Sequence, residues 1–182
     1  YAVTGVQTCA LPISALAADA PSRDIIYCMN ADLIHINRET QQTEPGLAKS
    51  WTVSLDGRTY TLRLLRGLRF SDGKPFSADD VIFTFQVYLD KKIHSPQRDL
   101  LIVGGKPISV RKIDDYTVQF QLAQPYAAAE RLFDGLPILP RHLLENAYKS
   151  GSFSQAWSIS MAPGEFAGMG PLDRKSTRLN SS

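Results

Sequence analysis

The segment Trp51–Leu65, WTVSLDGRTYTLRLL, decides the fold class. In its second half Tyr60, Leu62 and Leu64 alternate with Thr59, Thr61 and Arg63. Successive side chains of a strand point to opposite faces, so this period of two marks a half-buried strand over Arg58–Leu65. Trp51–Ser54 reads as its partner. Between them, Asp56-Gly57 supplies the positive φ that a tight hairpin turn needs.

Working outward toward the C-terminus, Ser71–Pro75 reads as a second turn. Ser77 then opens a helix with Asp80 three residues on, the spacing of a capping box. Asp79 and Asp80 also suit the positive end of the helix dipole. Val81, Ile82, Phe85, Tyr88 and Leu89 recur at helical spacing and predict a core-facing stripe. Ile108–Ile113 and Tyr116–Leu122 read as strands joined about Asp114-Asp115. Pro125–Phe133 reads as helical, Ile138-Leu139 as extended, and Arg141–Tyr148 as a helix started by Pro140. Ser150–Gly170 is loop-rich.

Toward the N-terminus, Pro45–Trp51 reads as one helical turn ending on a buried aromatic. Glu39–Glu44 reads as a turn and Leu33–Asn37 as a strand. Arg23–Asp32 predicts a short helix capped by Ser22, with Ile25, Ile26 and Met29 on one side. Hairpin strands interleaved with short helices define a mixed α/β (α+β) class.

The two ends carry a different signal. Thr4–Ile13 and Asp173–Ser182 are encodable by opposite strands of one stretch of DNA, and that DNA resembles a sequencing-library adapter. Residues 1–13 and 173–182 are therefore read as adapter-derived tails, and residues 14–172 as a partial domain. Trimming takes Arg174, Lys175, Arg178 and Asp173 from 20 basic and 18 acidic residues. The remainder is neutral, keeps only Cys28, and can form no internal disulfide. No run of 18 apolar residues signals a membrane helix. Ala15-Leu16-Ala17 resembles a signal-peptidase site, but no charged segment and long apolar run precede it.

Chemistry is sparse. His35, His94 and His142 lie far apart and outside any HExxH or CxxC pattern, so no metal and no cofactor is expected. Cys28 lacks a nucleophile signature and reads as a small apolar side chain. Gly104-Gly105-Lys106 lacks the rest of a phosphate-loop motif and reads as a turn. Asp79-Asp80 and Asp114-Asp115 are neighbours in sequence, which do not face each other as an acid/base pair would. Arg58, Arg63, Arg66 and Arg69 read as a solvated strand face on a neutral chain rather than an anion or nucleic-acid site. No catalytic residue emerges, and no enzyme is expected.

One long string carries a family resemblance. Pro45–Trp51 followed by Ser54–Phe85, with its SLDGRTYT and FSDGKPFSADDV pieces, resembles the signature region of the extracytoplasmic solute-binding proteins, family 5, of peptide, dipeptide and nickel ABC importers. Ile113–Leu122, Pro125-Tyr126, Ile138–Leu144 and Gly168–Leu172 follow in the family's order. The resemblance spans about residues 33–172, with Met169 and Leu172 departing from the commonest motif residues. It implies a periplasmic-binding-protein-like type II clamp, of which this chain would be part of the first lobe only. Trp51 and Tyr60 would then be core, and Asp56, Gly57, Asp72 and Gly73 turns.

The resemblance further implies capture of peptide-like solutes outside the cytoplasm, in the periplasm or membrane-anchored. The partners implied are the solute and a membrane permease, the protein being a monomer that binds no nucleic acid. Ligand contacts would fall before the first strand and after the long helix, on Tyr27, Asn30, Gln97 and Arg98. The alternative is the same clamp as a sensor fused to a helix-turn-helix regulator. A weaker one is an anion- or nucleic-acid-binding module built on Arg58–Arg69.

Overall fold

The computed structural model describes residues 31–37, 39–156 and 167–169. The helix expected over Arg23–Asp32, Cys28 and both terminal tails lie outside the described residues, apart from Ala31 and Asp32. The central element is a four-stranded antiparallel sheet. Its strands are β3 (Ala48–Val53), β4 (Thr59–Leu64), β7 (Ser109–Asp114) and β8 (Thr117–Gln121), in the order β3-β4-β8-β7. The β3–β4 hairpin closes as the sequence predicts. Gly57 sits at φ 65°, and the Asp56 carboxylate accepts from the Arg58 amide and the Ser54 hydroxyl.

Register explains how the alternation becomes a core. Tyr60 pairs with Phe120 and Leu62 with Val118 across β4 and β8, so the buried residues of both strands share one face. Helix α1 (Ala78–Leu89) covers that face, and the Phe85 ring meets Phe120 edge-on at 4.8 Å. Its start is the predicted capping box: Ser77 Oγ accepts from Asp79 N, and Asp80 Oδ2 accepts from Ser77 N.

The helix is buried on more sides than its stripe implies. Phe83, Thr84 and Val87 are buried along with Val81, Phe85 and Tyr88, whereas the expected Ile82 and Leu89 are only partly covered. The reason is a second layer. The segment 136–139 runs along α1, where Leu139 N donates to Thr84 Oγ1 at 2.9 Å and Tyr88 donates to the Pro137 carbonyl. Beyond it, α2 (Arg141–Ser150) packs Tyr148 against Phe83, and the Tyr148 hydroxyl donates to Asp90. Burial, then that bond to Asp90, pushes the phenol up to about 12.

Two expectations need correction. Pro45–Trp51 is no helical turn: Thr43–Pro45 is strand β2, paired with β1 (Ile34–Ile36), and Ala48–Val53 is β3. Ladder bonds to β4, and bonds from Leu47 N and Ala48 N to the Asp32 and Leu33 carbonyls, outweigh the local preference. Trp51 is accordingly half-buried, its Nε1 donating to Glu130 Oε1 at 2.8 Å. Pro125–Phe133 holds only a 3-10 turn at Ala129–Leu132. Ile138 and Leu139, read as extended, are buried and lie outside the paired strands.

The close approach of Asp32 to Gly46 gives a testable constraint. A Cβ on Gly46 would lie 2.4 Å from the Asp32 carbonyl oxygen, which already accepts Leu47 N. Backbone cannot swing aside as a flexible side chain can. Gly46→Ala is therefore expected to cost about 1–3 kcal/mol, the range for forced overpacking, read as a lowered urea midpoint. An unchanged midpoint would contradict the contact.

Candidate functional site

Beyond α1 the chain makes two 3-10 turns, Lys91–Ile93 and Arg98–Leu101. A short hairpin of β5 (Ile102–Val103) and β6 (Lys106–Pro107) follows, turning at Gly104-Gly105 as expected for a plain turn. This loop region and the segment Gln124–Leu132 enclose a surface depression of about 430 Å³. Buried Val103 and Leu132 form its floor. Asp99, Leu100, Gln124, Tyr126 and Arg131 supply its rim, with Leu100 and Tyr126 well exposed. The depression thus offers an apolar base, one cation, one anion, an amide and a phenol.

The sequence-predicted contacts divide. Tyr27 and Asn30 lie outside the described residues. Gln97 and Arg98 stand together at the start of the Arg98–Leu101 turn, next to rim residue Asp99 but not lining the depression themselves. Gln97 is half-buried and makes no side-chain cap. Arg98 is partly committed to structure, its Nε donating to the Leu89 carbonyl at 3.2 Å and its Nη1 lying 3.8 Å from Asp99.

A second cluster was not foreseen. Asp32, His35 and Asp134 bring one ligand-type atom each within 4.8 Å of one another. Burial, then the Asp134 charge, pushes Asp32 up to about 6, opposed by a hydrogen bond from the Gly135 backbone and the charge of His35. Asp134 Oδ1 accepts the Ile36 amide and lies 3.8 Å from His35 Nδ1. No local motif marks these residues, because Asp134 is far along the chain from the other two.

Several other polar residues serve the fold. His142 pairs with Asp72 and packs on Phe70. Lys112 joins Asp79 and Asp115. The arginine run is exposed but dispersed: Arg66 lies over the Tyr116 ring and Arg69 donates to the Gly73 carbonyl. Among the described residues, no helix is long and apolar enough to cross a membrane.

Comparison with known proteins defines the class to which this α+β layer belongs. The sequence model of the bacterial extracellular solute-binding proteins, family 5, middle part, matches residues 42–177, and the chain belongs to that family. It is similar to the dipeptide-binding protein of Escherichia coli, 33% identical over 136 residues, covering 66% of this chain and 25% of that protein. Among solved structures it resembles the ABC transporter substrate-binding protein CtaP of Listeria monocytogenes. That match has TM-score 0.70 and 32% identity, covering 87% of this chain and 30% of the other. It also resembles NikZ of Campylobacter jejuni, solved with Ni(L-His), at TM-score 0.70 and 30% identity, covering 90% of this chain and 30% of that one. The chain spans about a quarter of the length of the curated relatives it matches. The expected partial periplasmic-binding-protein-like lobe is thus borne out, and the family consists of binding proteins rather than enzymes.

Proposed function

We propose that this chain is part of the first lobe of an extracytoplasmic solute-binding protein that delivers peptide-like solutes to the permease of an ABC importer. The family match over residues 42–177 carries this reading. Relatives named for dipeptide and di/tripeptide binding support the solute class. The whole protein would grip its solute reversibly between lobes that close about a hinge. No bond is broken, and the protein acts as a monomer outside the cytoplasm. Tyr27, Asn30, Gln97 and Arg98 are this lobe's proposed contacts.

Titration calorimetry of the full-length gene product with di- and tripeptides tests the proposal. Saturable one-to-one binding with recovery of unchanged peptide is expected. Peptide cleavage, or no binding of any peptide, would overturn it. Gln97→Ala is expected to weaken binding several-fold without changing the melting midpoint, because its side chain caps nothing. Unchanged affinity would remove Gln97 from the contacts.

A further inference from the structure

We propose that Asp32, His35 and Asp134 form a site for a divalent transition-metal ion of zinc-like preference, which would tie β1 to the segment following Leu132. The inference does not depend on the solute proposed above. Two carboxylates and one imidazole are a borderline donor set suited to such ions. Three protein ligands would leave one position of a four-coordinate shell to water.

The geometry is close to what such an ion requires. Bonds of about 2.0–2.2 Å place tetrahedral donors roughly 3.3 Å apart, and the three atoms already lie within 4.8 Å of each other. His35 Nδ1 lies 3.8 Å from Asp134 Oδ1, and its side chain is 54% exposed. The carboxylates are held more firmly. Asp134 accepts the Ile36 amide, and Asp32 accepts the Gly135 backbone. Backbone bonds from Ile34 N to the Phe133 carbonyl and from Leu47 N to the Asp32 carbonyl fix the three segments against one another.

Charge points the same way. Among the described residues, no lysine or arginine pairs with Asp32 or Asp134, and the single neighbouring base is His35. Two other acidic groups of the fold do meet cations: Asp79 faces Lys112 and Arg141, and Glu145 faces Arg141 and Lys149. The ordered acceptor contacts would persist alongside the ion, because each carboxylate has lone pairs to spare.

Zinc titration of the full chain against a chromophoric chelator tests this, with thermal melting in parallel. One saturable site is expected, and a hundredfold excess over Kd should raise the midpoint by roughly 5–10 °C. His35→Gln should weaken zinc at least tenfold while leaving the metal-free midpoint unchanged, since the ring is exposed. Asp32→Asn with Asp134→Asn should abolish saturable binding, and the carboxamide oxygen of the second substitution can still accept the Ile36 amide. Absence of saturable binding in the parent chain would overturn the proposal. So would unchanged affinity in His35→Gln, which would put the ion on His142 or on the cysteine thiols instead.

Discussion

Phe120→Ala is expected to lower the stability of the chain by about 3–5 kcal/mol, the range for emptying a buried aromatic position. Phe120 is fully buried on β8, a central strand of the sheet. Its ring lies 4.8 Å from Phe85 on α1 and 4.6 Å from Phe133, whose ring reaches on to Tyr60 at 5.8 Å. Three separate parts of the chain therefore meet on one side chain. The hole left by alanine cannot close by shifting one element, because each is anchored elsewhere. The helix is pinned by its cap and the sheet by its ladders, while the Phe133 carbonyl accepts Ile34 N. Whole-domain stabilities are about 5–15 kcal/mol, so much of the total would go. Urea unfolding checks this through the midpoint at unchanged slope. Tyr126→Ala, at an exposed site, serves as the control and should stay within about 0.5 kcal/mol. A loss below about 1 kcal/mol at Phe120 would mean the aromatic contact is not a junction of the core.

The parts legible in the sequence are those set by local rules. Asp56-Gly57 fixes a turn through its own backbone, and Ser77 with Asp80 caps a helix within one turn. The alternation of Tyr60, Leu62 and Leu64 survives because that strand buries one face only. Pro45–Trp51 misleads because Leu47, Ala48 and Lys49 favour helix, while long-range bonds to Asp32, Leu33 and β4 decide the outcome. Pro125–Phe133 misleads through its three consecutive alanines. Glu130 is engaged by Trp51, Phe133 enters the core, and Gly135 at φ 73° ends the segment, which leaves room for one tight turn. The candidate site follows the same division. Gln97 and Arg98 follow α1 in the chain, so their position in the loop was set by the helix's end. The depression depends on Gln124–Leu132 folding back against it, which no periodicity encodes. Asp32 and Asp134 meet only because β1 lies beside the chain that leaves Phe133.

The second large effect should come from Asp80→Ala. A single carboxylate serves two helix starts. Its Oδ2 accepts Ser77 N at 2.9 Å at the head of α1, and its Oδ1 accepts Arg141 N at 3.1 Å at the head of α2. Pro140, the N-cap of α2, has no side chain able to cap it, so the acceptor has to come from elsewhere in the fold. Alanine would leave two poorly hydrated amides without that acceptor, at about 1–3 kcal/mol each. A total loss of about 2–4 kcal/mol is expected, since the Ser77 hydroxyl still caps Asp79 N. Asp80→Asn keeps an acceptor oxygen for one amide and should fall between the two proteins. Its dependence on pH separates charge from hydrogen bonding. Burial raises the Asp80 carboxyl above its ordinary 3.8, outweighing the bonds from Ser77 and Arg141 that lower it. Between the two values the folded chain holds a proton that the unfolded chain has released. The parent therefore loses stability as pH rises from 3.8 toward the raised value, whereas Asp80→Asn has no such group. The deficit of the asparagine variant should accordingly be largest in acid and shrink toward neutral pH. A deficit that instead grew with pH would show that the ionised carboxylate is favoured at this junction.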